Sequence, residues 1–481
     1  MSLGRRALQN TALLFTARTG AKLLVFAVFL IQQRALGSFR YGELTTIAVL
    51  SNLASITGDL GLQVIYLREG SRSRPRLERY LAVVLGAKIP LLALSGGTLA
   101  LLLALDGHHL LAFVVPAFAL LVATAVANVL RSTFYATGEI RYEGMATVAE
   151  AVILLGGTAI VATLSLGLFA YLLVYAASYL FTCVFAAVVI RRRYFPLRAT
   201  FDGVTARRLL RLGLPFALAF FLNTVYFRID VVILGAMRGL QEVGYYGAGY
   251  KFLDGIAFIP QTIMNVLFPS MAVLHAREPA LLRRAYTDAF RLLAAMAMPL
   301  AVGLGLEAGA VVRLTGVYPR SAAVVGILAL AVVFLFVNNS FIFGLGAMDR
   351  QMASVGLAVG SIVVNVGLNL WLIPRVAVSD GYLASSWATV LTEVFLLAAG
   401  YLVVRRYLGT LPWGRPLLPI LVAGGVMAAV VGLLQPLTAL AVLPVAGVAY
   451  LCTLVLTGGV RAGELAALRT FWRPDSGGGR G

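Results

Sequence analysis

Long apolar stretches follow one another along this chain, and short polar segments separate them. Each stretch approaches the length of about 20 residues that an α-helix needs to cross a membrane. There are roughly fourteen of them, so the pattern predicts an all-α multi-pass membrane protein with about fourteen transmembrane helices. The predicted helix centres are Leu23, Leu50, Leu92, Leu121, Ile153, Tyr179, Leu222, Ile256, Leu300, Val333, Val363, Val394, Met427 and Ala449.

Composition argues against a soluble globular protein. Hydrophobic residues make up 60% of the 481 residues and charged residues only 12%, and the mean hydropathy is +0.91. Soluble domains carry about 25% charged residues. A chain this apolar cannot cover its hydrophobic surface by folding on itself, so lipid must solvate much of it.

The net charge of +19 gives an orientation rather than a nucleic-acid partner. Arginines concentrate in alternate connecting segments, at 68–79, 191–211 and 277–284, and not on one polar face. Arginine-rich connections lie on the cytoplasmic side of membranes. We therefore predict a cytoplasmic (inner) membrane protein with both termini in the cytoplasm and no bound nucleic acid.

Three weak sequence matches, each separated by about 204 to 210 residues, indicate that the first twelve spans are two parallel copies of six. The matched segments are Arg40–Gly42 with Val243–Tyr246, Gly138–Arg141 with Gly346–Arg350, and Thr182–Phe185 with Thr392–Phe395. Arg pairs alternate with Leu between Thr205 and Leu212, which favours a short interfacial helix. The predicted organisation is a six-helix bundle over 1–195, a cytoplasmic linker with that helix over 196–212, a second six-helix bundle over 213–408, two additional transmembrane helices over 409–460 and a cytoplasmic tail over 461–481.

Charged side chains occur inside the apolar spans, where each costs at least about 2.5 to 3.5 kcal/mol unless it faces a partner or a cavity. We expect the basic ones to contact substrate, namely Arg18, Lys22, Lys88, Arg131, Arg228 and Lys251. We expect the acidic ones to balance the cavity or bind a coupling ion, namely Asp59, Glu150, Asp230, Asp254 and Glu393. Glu307 and Arg313 are placed in span nine.

Several of these charges have simpler explanations. Arg131 and Arg313 lie near predicted span ends and could reach the interface. Asp59 could belong to a helix-end turn, and Lys251 and Asp254, three residues apart, could neutralise each other. These alternatives stay open. Arg18 and Lys22 are different, because they have the same sign and lie four residues apart on one helical face; this pair is the strongest candidate for a substrate contact.

Other residue types predict no catalytic or metal site. Cys183 and Cys452 lie in apolar runs, and the three histidines lack metal-ligand spacing. There is no paired-carboxylate or nucleophile motif, so we expect no enzyme activity and no cofactor. The long first apolar run, interrupted by Arg18 and Lys22, is unlike a signal peptide. Prolines within the spans predict fixed kinks or hinges, two readings that are equally supported; they are Pro90, Pro215, Pro260, Pro269 and Pro299.

The chain resembles the polysaccharide transport, or Wzx-type, flippases of the MATE-like (MOP) superfamily, over about residues 5 to 460. The order and spacing of several short motifs carry the likeness. They are Arg34–Gly37, Tyr41-Gly42, Asp59–Leu62 and Arg68-Glu69 in the first half, and Gly213–Pro215, Asp230, Val243–Tyr246, Asn365, Asn369, Leu372–Pro374, Gly381 and Glu393 in the second.

The resemblance implies two six-helix bundles around a central cavity, with two extra helices. It also implies translocation of an undecaprenyl-diphosphate-linked oligosaccharide, such as an O-antigen or exopolysaccharide repeat unit, to the outer leaflet by alternating access. The implied partners are that polyprenyl-diphosphate-linked glycan, membrane lipids and a polysaccharide polymerase, and H+ or Na+ is the implied coupling ion. The basic pair Arg18 and Lys22 also resembles the cationic cavity of lipid II flippases.

Three alternative functions would make different demands on the chain. A lipid II flippase would use the same cationic chemistry. A cation-coupled multidrug exporter of the same superfamily would have an acidic, aromatic cavity, and the excess of buried bases argues against it. A membrane glycosyltransferase or ligase would need a large outer catalytic loop, whereas the predicted outer connections are short.

Overall fold

A computed structural model describes residues 3–106, 108–411, 414–434 and 438–459 of the chain; the predicted tail 461–481 lies outside these ranges. Helices account for nearly all of the described residues, which contain no β-strand. The fifteen α-helices are α1 (Leu3–Asp59), α2 (Leu62–Arg72), α3 (Arg74–Asp106), α4 (Val114–Thr137), α5 (Ile140–Thr163), α6 (Gly167–Arg193), α7 (Gly203–Arg238), α8 (Leu240–Arg277), α9 (Pro279–Leu306), α10 (Ala308–Thr315), α11 (Ser321–Ala347), α12 (Gln351–Leu372), α13 (Gly381–Leu408), α14 (Gly414–Leu433) and α15 (Ala439–Leu456).

The protein is a multi-pass membrane protein, and the predicted centres all fall on helices. Within the described ranges, 12 helices are long and apolar enough to cross a membrane. The prediction of about fourteen differs for two reasons. The first two spans form the single helix α1, kinked at Gly37, which has φ 71° and ψ 168°. Helix α14 contributes only a shorter apolar stretch, Leu417–Leu433. At Gly37 the φ of 71° is one that glycine adopts readily, so α1 turns at this residue without an intervening loop.

The chain divides into two compact units. The first comprises Met1–Ala248, Gly316–Tyr318 and Ala358–Ser385. In it α1 packs against α3 and α5, and α4 packs against α6. The core includes Tyr66 and Phe134, both fully buried, and the Tyr66 hydroxyl lies 2.8 Å from the hydroxyl of Thr133.

The second unit comprises Gly249–Thr315, Pro319–Leu357 and Ser386–Gly481. Here α9 packs against both α11 and α14, and α14 packs against α15. The Tyr450 hydroxyl of α15 donates a 2.7 Å hydrogen bond to the Ala295 carbonyl of α9. Within this unit α9 therefore supports the last two helices, α14 and α15. The grouping of the first twelve predicted spans into two repeated bundles of six stays a prediction.

Two details correct the sequence-based description of span nine and of the linker. Helix α9 ends at Leu306, so Glu307 caps it and Arg313 lies on the separate short helix α10. The segment from Thr205 to Leu212 is no separate interfacial helix. It forms the first turns of α7, which continues through Pro215, since lipid-embedded helices accommodate proline.

The linker before α7 is fixed along α3. The Thr200 amide donates a 2.9 Å hydrogen bond to the Ala82 carbonyl, and Arg79 pairs with Asp202 at 2.9 Å. Asp202 also caps α7 by accepting from the Thr205 amide at 3.0 Å. The bonds from the Thr205 amide and hydroxyl, followed by Arg79, hold the pKa of Asp202 well below its usual range. Stability from this cap is therefore present above the pKa of an unfolded aspartate and is lost as the pH falls through the depressed value.

Two glycines allow α7 to approach the end of α1 within the first unit. Gly61 has φ +78°, and a methyl group placed on it would lie 2.2 Å from the Gly213 carbonyl oxygen. A methyl group on Gly213 would lie 2.5 Å from the Leu60 carbonyl oxygen. Backbone atoms cannot yield as the end of a flexible side chain can, so both positions require glycine.

We predict that Gly61→Ala lowers the melting temperature of the purified protein more than Gly138→Ala does. Gly138 has the same φ of +78° but open space around it, so it carries only the conformational cost of about 1–2 kcal/mol for a left-handed residue. Gly61→Ala adds the clash with Gly213. Thermal unfolding in detergent measures both variants, and equal losses would contradict the close approach.

Candidate functional site

Arg131 is held by two carboxylates inside the first unit. Glu143 and Glu150 are seven residues apart on α5, and this spacing of about two turns places both on one face. The Arg131 Nη2 lies 2.6 Å from Glu150 Oε2, and its Nε lies 3.5 Å from Glu143 Oε2. The side chain of Arg131 is 13% exposed and that of Glu143 5%. Arg131 thus has anionic partners within the protein and does not need to reach the interface.

Neutral and charged side chains extend this ion pair into a network across four helices. The Thr182 hydroxyl on α6 donates to Glu150 at 2.8 Å, and the Tyr135 hydroxyl on α4 donates to Glu143 at 3.0 Å. The Arg18 guanidinium on α1 donates to the Tyr135 hydroxyl and lies 4.0 Å from Glu143. We call Arg18, Arg131, Tyr135, Glu143, Glu150 and Thr182 the N-terminal charge network. Its two arginines balance its two glutamates.

Arg18 is the exposed member of this network. Its side chain is 53% exposed, compared with 13% for Arg131. Lys22 lies four residues along α1 and is also exposed, so both cations are on one helical face. Placing a cation of an apolar span in contact with lipid costs free energy. The exposed side chains of Arg18 and Lys22 therefore need contact with water, with an anion or with both.

Lys88 and Asp59 were predicted as separate site residues, but the structure pairs them. The Lys88 ammonium, with a side chain only 2% exposed, lies 2.8 Å from Asp59 Oδ1 and 3.3 Å from the Gly58 carbonyl. Asp59 is the last residue of α1, as the helix-end alternative predicted. This pair joins α3 to the end of α1 and satisfies a fully buried lysine.

The charged residues predicted on α7 and α8 differ in burial and in their bonding partners. Asp230 is 3% exposed and accepts a hydrogen bond from the Tyr246 hydroxyl, whereas Arg228, two residues earlier, is half-buried. In the second unit Lys251 and Asp254 form an ion pair at 3.9 Å, which confirms that they can neutralise each other.

Glu393 is buried in the second unit. Its carboxylate accepts a 2.7 Å hydrogen bond from the Asn338 amide group, which also donates to the Glu393 carbonyl at 3.0 Å. Asn338 belongs to α11 and Glu393 to α13, so the predicted acid links two helices. Within the described ranges, no group of three His, Cys, Asp or Glu residues could hold a metal ion.

Glu143, Tyr135, Thr182 and Asn338 were not predicted as site residues from the sequence. Glu143 could have been found, because its spacing of seven from Glu150 puts two carboxylates on one helical face. The other three are neutral residues in apolar helices. Their roles depend on which helix faces which, and no spacing in the sequence specifies that.

Comparison with known proteins gives a family and a fold. The family model for the polysaccharide biosynthesis proteins matches residues 7–275, more than half of the chain. No protein of curated function matches.

Solved structures of two transporter classes are similar. Lipid II flippase MurJ in an inward closed conformation superposes with a TM-score of 0.74 at 14% identity, covering 93% of this chain and 99% of MurJ. An inward-facing multidrug resistance MATE transporter of the MOP superfamily gives 0.59 at 15%, covering 80% and 95%. The MATE multidrug transporter DinF-BH in complex with R6G gives 0.55 at 16%, covering 85% and 97%. At such identities the likeness establishes the fold alone.

We predict that Arg131→Gln strongly destabilises the protein. The substitution leaves the carboxylates of Glu143 and Glu150, which are 5% and 14% exposed, without their shared cation, and breaking a buried ion pair costs about 3–5 kcal/mol. The matched control is Arg141→Gln, which removes an arginine 53% exposed and paired with Glu139; an exposed pair contributes about 1 kcal/mol or less. Thermal unfolding in detergent compares the two. Similar melting temperatures for the Arg131→Gln and Arg141→Gln variants would show that the N-terminal charge network does not stabilise the fold.

Proposed function

The chain belongs to the polysaccharide biosynthesis protein family, and from that premise we propose that it is a flippase for a lipid-linked oligosaccharide. The substrate is an undecaprenyl-diphosphate-linked repeat unit of an O-antigen or exopolysaccharide. The protein carries it from the cytoplasmic to the outer leaflet of the cytoplasmic membrane. The lipid tail stays in the bilayer, and the protein contributes binding and passage rather than bond chemistry.

The exposed cation on α1 is the single observation that carries this proposal. A diphosphate has at least two negative charges and cannot cross hydrocarbon unaided, because an isolated charge in a low-dielectric medium is very costly. Arg18 presents about half of its side chain, with Lys22 one turn further along the same face. Arginine donates paired hydrogen bonds to phosphate oxygens, and lysine acts as a compact point charge.

The remaining charges are proposed to support this pair. The carboxylate of Glu143 and the hydroxyl of Tyr135 orient the Arg18 guanidinium from behind. Arg131 is engaged by Glu143 and Glu150, and Lys88 by Asp59, so we assign these two cations a positioning role. Glu150, Asp230 and Glu393 are proposed sites for a coupling H+ or Na+.

A lipid II flippase is the second candidate, because MurJ has the same fold over nearly the whole of both chains. Lipid II also carries a diphosphate, so the cationic pair serves either substrate. The two candidates differ in the glycan exported. A multidrug exporter is less favoured, because a cationic drug would meet Arg18 and Lys22 as like charges.

The test is a glycan-export assay in cells that depend on this gene. We predict that the double variant Arg18→Ala, Lys22→Ala loses export by on the order of a hundredfold, since each charge-assisted hydrogen bond contributes about 1.5–3 kcal/mol. The matched control Arg72→Ala, Arg76→Ala also removes two exposed positive charges, but from the end of α2 and the start of α3 rather than from the apolar part of α1, and it should export normally.

Membrane levels of each variant, measured by immunoblot, separate lost transport from lost protein. Normal export by an Arg18→Ala, Lys22→Ala protein that is present in the membrane would refute the assignment. Rescue of peptidoglycan synthesis in place of surface glycan would favour the lipid II substrate. Drug resistance conferred by the wild type, and abolished by Asp230→Asn, which removes a buried carboxylate, would favour the exporter.

A further inference from the structure

The second unit contains a pocket that the proposed transport function does not use. Its volume is about 210 Å³, and it lies where α8 ends, α9 begins, α11 ends and α13 ends. The positive-inside prediction places this end of the unit in the cytoplasm. Its lining residues are His275, Ala280, Leu282, Arg283, Met348, Arg350, Tyr407 and Leu408.

The polar part of the lining is basic. It includes Arg283, Arg350 and His275, and no acidic residue is among the eight. Among residues that the structure describes, no carboxylate forms an ion pair with Arg283 or Arg350. Arg283 lies near the N-terminus of α9, where the helix dipole disfavours a cation, so the dipole does not explain why this arginine lines the pocket.

Both arginines are fixed by neighbouring groups that leave donors available. The Arg350 guanidinium stacks 4.9 Å from the centre of the Tyr407 ring, an interaction that uses the face of the guanidinium and leaves its edge N–H groups available. Arg283 donates one of its N–H groups to the Thr410 carbonyl and retains others. Two arginines fixed in this way have already lost much of the side-chain freedom that ligand binding would otherwise restrict.

The floor of the pocket is apolar, and the volume of the pocket limits the size of a ligand. Leu282 and Met348 are 2% and 3% exposed. Pockets for drug-sized ligands span about 300–1,000 Å³. A volume of about 210 Å³ therefore suits a small anionic group with a short apolar attachment better than a drug-sized ligand.

We propose that this pocket binds a phosphate group. The planar guanidinium forms paired hydrogen bonds with phosphate oxygens, and Arg283, Arg350 and His275 line the same pocket, which gives it the positive charge and the donors that phosphate requires. The phosphate is either the headgroup of an anionic phospholipid, which the cytoplasmic leaflet supplies, or free inorganic phosphate. This proposal does not depend on which glycan the protein moves, or on its being a flippase.

The test uses the full-length protein in detergent and follows its thermal unfolding, because a ligand that binds the folded state raises the melting temperature. The probes are inorganic phosphate, with sodium chloride at equal ionic strength as its control, and phosphatidylglycerol, with phosphatidylcholine as its control. Stabilisation by phosphatidylglycerol alone identifies the lipid headgroup as the source. Stabilisation by inorganic phosphate as well identifies a site open to free phosphate.

Variants locate the site. Arg283→Gln and Arg350→Gln should each weaken the apparent affinity for the effective probe by about tenfold or more, the value for one lost charge-assisted bond. Arg375→Gln is the matched control, because Arg375 also stacks on an aromatic ring, that of Trp371 at 4.5 Å, but lies outside the pocket. Ala280→Phe tests the volume, since it fills the pocket without removing a charge.

The expected result is loss of stabilisation in Arg350→Gln and Ala280→Phe, with Arg375→Gln like the wild type. Absence of stabilisation of the wild type by either probe would overturn the proposal. Undiminished stabilisation of the folded Ala280→Phe and Arg350→Gln variants would overturn it too, because the anion would then bind elsewhere.

Discussion

The cost of an isolated charge in a low-dielectric interior is the constraint on which the rest of this structure depends. Every charged side chain placed inside an apolar helix must meet an opposite charge, a hydrogen-bond donor or water. In the first unit that requirement decides which helix faces which. Arg131 of α4 lies against the two-carboxylate face of α5, and Lys88 of α3 lies against the end of α1. Polar contacts thus specify packing that apolar surfaces alone leave undefined in lipid.

The same constraint separates two kinds of charge in the apolar helices. Lys88 is enclosed and paired, and so it fixes structure. Arg18 is attached to the network by Tyr135 and Glu143, but half of its side chain stays exposed. A network that neutralises itself and still presents one arginine at its edge is suited to hold an anion reversibly. If an anion binds Arg18, the electrostatic balance of Glu143 changes, and through Arg131 so does that of Glu150. Binding at α1 is in this way connected to α5 and α6.

The helices could be predicted from the sequence, because apolar length depends only on neighbouring residues. The pairing of Lys251 with Asp254 could be predicted for the same reason, since both lie on one face of α8. The pairing of Lys88 with Asp59 could not, because 29 residues separate them and only the packing of α3 against α1 joins them. The kink at Gly37 resembled a loop in the sequence, because polar residues flank it, yet a single glycine suffices to turn the chain. The continuity of α7 was hidden by the arginine pairs before Gly213, which are typical of an interfacial helix.

We propose that the cationic face of α1 carries a diphosphate-linked glycan across the membrane. The most direct measurement is translocation of a fluorescent undecaprenyl-diphosphate oligosaccharide in proteoliposomes, followed by quenching from the outside. We expect protein-dependent movement between leaflets that Arg18→Ala abolishes and that Arg18→Lys, which keeps the charge, partly retains. Translocation by Arg18→Ala at the wild-type rate would contradict it.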